Sequence, residues 1–204
     1  MNRTISPADA LQRLVDGNRR YAADEAPEAM LAHAVNRRHS IAEQRPFAIV
    51  LGCSDSRVPI EIVFNQSLGD LFVIRVAGNI LSDHVIGSAE YAIETFGSPL
   101  VMVLGHSNCG AVTAAVDAVL NQREAHSRIA TIVNAIRPCV QLVRDQSDVL
   151  EAAIAQNIRH VTSTLQETEP VICTARAQKR LAIVGAEYHL STGQVSMLCG
   201  DLVG

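Results

Sequence analysis

Three residues with reactive side chains follow an apolar run early in the chain. The run Phe47 to Leu51 ends in CSDSRVP, so a thiol (Cys53), a carboxylate (Asp55) and a guanidinium (Arg57) stand on alternate positions. A thiolate can bind a soft metal or act as a nucleophile, and a guanidinium can hold a carboxylate through two hydrogen bonds. Alone, the triplet is better explained by a cysteine that packs in the core beside a solvated Asp/Arg pair on a loop.

A second cluster follows another apolar run, in the sequence GHSNCG, which contributes His106 and Cys109. A set of two cysteines and a histidine suits Zn²⁺, and three protein ligands leave a fourth tetrahedral position for water, as in catalytic zinc sites. Cys109 stands where a helix is predicted to begin, which favours the thiolate form.

The residues alone leave several functions open. Zinc-dependent hydrolysis or hydration is one, a cysteine hydrolase using Cys109, His106 and Asp55 is the second, and a structural cluster is the third. The GHSNCG turn also resembles loops that cradle a phosphate.

The elements that must position these residues follow from the pattern of apolar residues. Four apolar runs predict buried strands, at 47–51, 71–77, 100–104 and 181–186. Helical spacing predicts helices at 7–22, 84–96, 111–120, 129–142 and 150–165. Alternating strands and helices predict an α/β fold with a mostly parallel central sheet flanked by helices. The turn STGQ before VSMLC predicts a last, antiparallel edge strand.

The composition is that of one compact domain with a small substrate. The chain has 204 residues, is 48% hydrophobic and carries a formal net charge of -4 without a basic stripe, so nucleic acid and membrane surfaces are not expected as partners. We expect a single domain over 1–204, with an N-terminal helical arm at 1–45 and an α/β core at 46–204. The start lacks the pattern of a secretory signal, and five cysteines show no disulfide spacing, so we expect a cytoplasmic protein.

The two motifs CSDSRVP and GHSNCGAV together resemble the paired signatures of the β-class carbonic anhydrases. The resemblance extends over most of the chain, including GDLFVIRVAGN, SAEYAIETFG and IVGAEYHLSTGQV. It implies one Zn²⁺ per chain, bound by Cys53, His106 and Cys109, and a carbonate dehydratase (a lyase). The reaction would be the reversible hydration of carbon dioxide to bicarbonate and a proton, by a zinc-bound hydroxide oriented by Asp55 and Arg57.

The resemblance also implies a branch of the family and a substrate pocket. Gln44 and Pro46 match the Q-x-P element of the plant-type branch, and Phe72 and Tyr91 match residues of its pocket; Ala77 stands where that pocket has a valine. The branch with a closed, bicarbonate-regulated site carries a tryptophan at the position of Val50, so an open site is expected. Hydrolysis of CS₂ or COS by a family member stays open. The family also implies a homodimer or homotetramer, with pocket residues reaching across the interface.

Overall fold

The computed structural model describes residues 5–25, 44–123 and 125–202. A five-stranded sheet in the order β2-β1-β3-β4-β5 forms its centre. The strands are β1 (Ala48–Gly52), β2 (Leu71–Arg75), β3 (Leu100–His106), β4 (Ala182–Tyr188) and β5 (Val195–Gly200). The first four run parallel, and β5 pairs antiparallel with β4. This confirms the predicted α/β class, the mostly parallel sheet and the antiparallel edge strand.

Helices connect the strands and cover both faces of the sheet. They are α1 (Pro7–Ala22), α2 (Ile60–Val63), α3 (Asp83–Phe96), α4 (Gly110–Leu120), α5 (Ile129–Val143), α6 (Val149–Gln166) and α7 (Val171–Ala177), with a 3₁₀ turn at Ala77–Asn79. The five predicted helices are present within one or two residues of the expected bounds. The short α2 and α7 were not predicted, because four and seven residues are too few to display a helical period. Residues 26–43 of the expected arm lie outside the described residues.

The N-terminal helix begins as its sequence predicts and is anchored by one buried asparagine. Ser6 accepts a hydrogen bond from the backbone N–H of Asp9 (3.1 Å), and Pro7 is the first helical residue. The Asn18 side-chain amide donates to the carbonyls of Val63 and Gly193, and its oxygen accepts from the N–H of Val195. Asn18 therefore ties α1 to α2 and to the β4–β5 hairpin.

The sheet separates two apolar clusters, and its inner strands are buried on both faces. Every residue of β1, β3 and β4 is buried. The strand β2 differs from the prediction, because Phe72, Val73 and Ile74 are only half-buried and Arg75 is exposed. The reason is its position at the edge of the sheet, which the apolar run LFVIRVA could not reveal. The strand also ends at Arg75, and Ala77 opens the 3₁₀ turn.

The register of the parallel strands brings their carboxyl ends together. Gly52 of β1 lies between Arg75 of β2 and Leu104 of β3. Residues that follow these three positions must therefore meet at one edge of the sheet, which is where ligands bind in open α/β folds. None of the helices in the described part of the chain is long and apolar enough to cross a membrane.

Candidate metal centre

Three side chains from two strand ends converge at this edge. Cys53 follows β1, His106 is the last residue of β3, and Cys109 is the N-cap of α4. All three are buried, and one ligand atom from each lies within 4.8 Å of the other two. Zinc binds sulfur at about 2.3 Å and imidazole nitrogen at about 2.0–2.1 Å in a tetrahedron, so a zinc ion fits between atoms spaced in this way. The three ligands predicted from the two motifs are therefore brought together.

His106 carries a free ligand atom at this centre. Its side chain is fully buried, and Nδ1 lies 3.0 Å from the carbonyl oxygen of Ser107. A tautomer that donates from Nδ1 leaves the lone pair on Nε2, which has no hydrogen-bond partner among the described residues. A buried polar atom without a partner is costly unless a ligand satisfies it. Burial lowers the pKa of His106, but Cys53, the backbone of Ser107 and Asp55 together raise it above its ordinary value.

The two thiols differ in acidity. The side-chain hydrogen bond with Cys109 lowers the pKa of Cys53 to about 4, although burial opposes this effect. The same hydrogen bond, together with burial, raises the pKa of Cys109. The sulfur of Cys53 also accepts a hydrogen bond from the backbone N–H of Gly78 (3.3 Å), which favours its thiolate form.

The start of α4 acts on Cys109 in the direction expected from the sequence. The amides of Ala111 and Val112 do lower its pKa, but the neighbouring Cys53 has the larger effect. A bound metal ion would ionise both thiols, since thiolates are the form that binds.

Asp55 and Arg57 form a two-pronged ion pair beside the three ligands. Arg57 donates from its backbone N–H (2.9 Å) and Nε (3.0 Å) to Oδ1 of Asp55, and from Nη2 to Oδ2 (2.8 Å). These side-chain hydrogen bonds hold the pKa of Asp55 well below its usual range. Oδ2 also lies 3.9 Å from Nε2 of His106. Asp55 is therefore ionised at neutral pH, restrained by Arg57 and turned toward the ligand cluster.

Arg75 also supports the site, and the sequence analysis did not identify it. Its Nε donates to the carbonyl oxygen of Cys53 (3.0 Å), and its Nη2 donates to that of Asp55 (2.6 Å). The guanidinium thus fixes the backbone on both sides of Ser54. A signal was present, because Arg75 is a charged residue at the carboxyl end of an apolar strand, as Cys53 and His106 are polar residues at the ends of theirs.

The 3₁₀ turn after β2 forms a further wall of the centre. Gly78 has a φ of +69°, and its carbonyl accepts a hydrogen bond from the side chain of the buried Asn157 (2.9 Å). Ala77, predicted to line the substrate pocket, is half-buried and precedes this glycine. Asn157 of α6 therefore holds the turn whose amide contacts Cys53.

The other residues predicted for the substrate pocket lie farther out. Phe72 of β2 packs against the core cluster that contains Cys53 and Cys109. Its ring lies 6.3 Å from that of Tyr91 on α3, which is 53% exposed, and 6.1 Å from that of Phe96. Gln44 is exposed, just before β1. The three aromatic rings form a surface cluster that is continuous with the core around the thiols.

Sequence comparison identifies relatives along nearly the whole chain. The profile of the family described as "Carbonic anhydrase" matches residues 48–195. A carbonic anhydrase of Mycolicibacterium smegmatis is 37% identical over 94% of this chain and 93% of its own length. "Carbonic anhydrase 2" of Mycobacterium tuberculosis is 38% identical over 93% of this chain and 91% of its own.

Solved structures show the same fold. The β-carbonic anhydrase CcaA superimposes with a TM-score of 0.71 at 27% identity, covering 92% of this chain and 94% of its own. A Coccomyxa β-carbonic anhydrase in complex with acetazolamide gives a TM-score of 0.71 at 25% identity, covering 92% of this chain and 86% of its own. A tetrameric β-carbonic anhydrase of Sordaria macrospora shares the fold at 22% identity, with a TM-score of 0.72 and coverage of 90% and 99%.

Proposed function

We propose how the residues of this chain, which belongs to the β-class carbonic anhydrase family, carry out the reversible hydration of carbon dioxide. As a member of this family the chain is a carbonate dehydratase. The observation that carries the proposal is the position of Asp55, whose Oδ2 lies 3.9 Å from the unpartnered Nε2 of His106 while Arg57 restrains both carboxylate oxygens.

The metal ligands in this proposal are Cys53, His106 and Cys109. A Zn²⁺ ion held there would lower the pKa of a bound water and so supply hydroxide at neutral pH. Two thiolates donate more charge than two imidazoles would, so the water here should be harder to ionise than at a three-histidine site. A nearby hydrogen-bond acceptor is then needed to offset that effect.

Asp55 is the acceptor that we assign. A carboxylate oxygen has two lone pairs, and Arg57 Nη2 uses only one of those on Oδ2. The other can accept the proton of the attacking oxygen and orient its remaining lone pair toward carbon dioxide. Because its pKa is held low, Asp55 stays an acceptor throughout the neutral range.

Arg57 has a second role in the proposal, which is to keep Asp55 from becoming a metal ligand. A free carboxylate beside zinc competes for the fourth position, whereas the two-pronged pairing with Arg57 retains both oxygens. The expected open, plant-type site is supported by this pairing. Arg75 serves as a positioning residue, since it fixes the backbone carbonyl of Asp55 itself.

The substrate pocket in this proposal uses Gln44, Phe72, Ala77 and Tyr91. Phe72 and Ala77 offer an apolar wall near the thiols, which suits a nonpolar substrate such as carbon dioxide. The Gln44 amide would donate a hydrogen bond to an oxygen of the substrate or of bicarbonate. The exposed Tyr91 would line the outer part of the pocket.

The proposal also includes the oligomeric state, the domain division and the cellular location. A homodimer or homotetramer is supported by the partly exposed edge strand β2 and by the exposed rings around Tyr91. The division into one domain, with an arm at 1–45 and a core at 46–204, is part of this proposal. So is a cytoplasmic location, which cell fractionation would test.

The variant Asp55→Asn tests the mechanism. It keeps the shape of the side chain but replaces one acceptor oxygen with an amide nitrogen, so we expect near-full zinc content and a loss of carbon dioxide hydration by roughly 10²–10³-fold. Stopped-flow hydration and a zinc count on the same sample measure both. Asp145→Asn, at a side chain that is 92% exposed, serves as the control and should change neither quantity. A zinc-loaded Asp55→Asn enzyme with normal turnover would show that the assigned role of Asp55 is wrong.

A further inference from the structure

A second cluster of metal-ligating side chains lies apart from the two signature motifs. It consists of Glu151 in the first turn of α6, Glu187 near the end of β4, and His189 just after that strand. One ligand atom from each lies within 4.8 Å of the other two. Nothing in the proposed mechanism uses these residues.

Glu187 is the observation that points to a ligand. Its side chain is buried, with 3% of the residue exposed, and its Oε1 has no hydrogen-bond partner among the described residues. A buried carboxylate oxygen in that condition is costly, and proteins satisfy such groups by pairing them or by coordinating a metal. Burial, followed by the charge of Glu151 and a side-chain hydrogen bond with it, raises the pKa of Glu187 to about 7.

Hydrogen bonds fix the backbone of Glu151 and one ring nitrogen of His189. The Glu151 backbone N–H is capped by the side chain of Asp148 (3.1 Å), which fixes the start of α6. His189 Nε2 lies 3.1 Å from the hydroxyl of Ser196 on β5. Metal-binding histidines commonly hydrogen-bond through one ring nitrogen while the other binds the metal. The cluster therefore joins α6, β4 and the β4–β5 turn at one point.

We propose that Glu151, Glu187 and His189 form a second divalent-cation site, separate from the cysteine centre. Two carboxylates and an imidazole suit Mn²⁺ or Zn²⁺. Without thiolates, this site has harder ligands, in the hard–soft sense, than the cysteine centre. Water would complete the coordination on the side of Glu151, which is exposed. A cation there neutralises two adjacent carboxylates and links a helix to the hairpin. The competing arrangement is a proton shared between the two carboxyl groups.

Counting metal on the whole enzyme tests the site. Samples with the cysteine centre loaded with zinc are first assayed for total zinc per chain and then titrated with MnCl₂, while electron paramagnetic resonance measures free Mn²⁺. We expect one cation equivalent beyond the cysteine centre, either as a second zinc or as bound Mn²⁺. In Glu187→Gln the dissociation constant of that equivalent should rise by about tenfold or more.

The control is Glu167→Gln, at an exposed glutamate just beyond the end of the same helix, and it should bind like the wild type. His189→Asn repeats the test at a half-buried residue if Glu187→Gln does not fold, with far-ultraviolet circular dichroism as the check. A wild type that takes up neither cation at about 1 mM beyond the first equivalent overturns the proposal. So does equal binding by wild type and the folded variants. Carbon dioxide hydration is measured in parallel, and its outcome does not decide whether the second cation site exists.

Discussion

The substitution Gly78→Ala should damage both the stability of the fold and the cysteine centre. Gly78 adopts the left-handed region (φ +69°), and its backbone N–H donates to the sulfur of Cys53. A Cβ added there would lie 2.8 Å from Cδ1 of Ile136 and 3.1 Å from Cβ of Ala111. Ile136 is completely buried and Ala111 belongs to the first turn of α4. Relief of the contact would therefore move the 3₁₀ turn, or the helix start that carries Cys109.

The expected magnitude has two parts. Placing an L-residue in the left-handed region costs about 1–2 kcal/mol, and forcing a methyl group into a packed core costs about 1–3 kcal/mol. Together they predict a destabilisation of about 2–5 kcal/mol. For a chain of this length each kcal/mol lowers the midpoint of thermal unfolding by about 2–4 °C, so a decrease of about 4–20 °C is expected.

Substitutions at two other glycines distinguish the backbone cost from the packing cost. Gly97 has nearly the same backbone conformation (φ +65°), but an added Cβ would meet nothing within 4 Å, so Gly97→Ala should show the backbone cost of about 1–2 kcal/mol alone. Gly87 is exposed within α3 and also has open space around it, so Gly87→Ala should stabilise the protein by about 0.5–1 kcal/mol.

The assay is thermal unfolding of the three variants at one protein concentration and with the same metal content. Cobalt-substituted samples add a test of the cysteine centre itself. The thiolate-to-cobalt charge-transfer absorption should change in Gly78→Ala and stay as in the wild type in Gly97→Ala and Gly87→Ala. The reasoning fails if Gly78→Ala and Gly97→Ala are destabilised equally. It also fails if the cobalt spectrum of Gly78→Ala matches that of the wild type.

Three further changes test the positioning residues and the surface. In Arg57→Gln the hydrogen bonds that restrain Asp55 are removed, so the freed carboxylate competes for the fourth metal position; carbon dioxide hydration should fall with zinc content unchanged, and turnover equal to that of the wild type would contradict the role of Arg57. Arg75→Leu should lower kcat by about tenfold, the effect of one or two lost hydrogen bonds, with KM and zinc content unchanged; a decrease in zinc content instead would assign Arg75 to metal retention. Tyr91→Glu should reduce the molar mass measured by light scattering after size exclusion, whereas Gln141→Glu on the exposed face of α5 should not.

The parts of the fold that could be predicted are those that depend on local sequence. Continuous apolar runs identify β1, β3 and β4 because inner parallel strands are buried on both faces. The convergence of Cys53, His106 and Cys109 was also predictable, since Cys53 and His106 each end or follow such a strand and Cys109 begins the next helix. Parallel strands have their carboxyl ends on one side, so chemistry at two strand ends implies a shared site.

The parts that could not be predicted depend on the order of the strands. The run 71–77 is as apolar as the others, yet β2 lies at the edge of the sheet and is half-exposed. Likewise, the strand register that pairs Arg75 with Gly52 cannot be inferred from the sequence of either strand. The acidity of each thiol depends on its contact in space with the other, which neither segment of sequence reveals.

One rule would have identified the residues that were missed. Each of the four parallel strands has a polar or charged residue within one position of its carboxyl end: Cys53 follows β1, Arg75 ends β2, His106 ends β3, and Glu187 is the last but one residue of β4. Only the first and third were interpreted from the sequence, because they carry thiol and imidazole groups. A buried strand has no local reason to end in a charge, so each such ending needs a partner at the edge. For Arg75 the partners are the carbonyls of Cys53 and Asp55. For Glu187, whose Oε1 has no partner among the described residues, the same reasoning leads to the cation that the metal count is designed to detect.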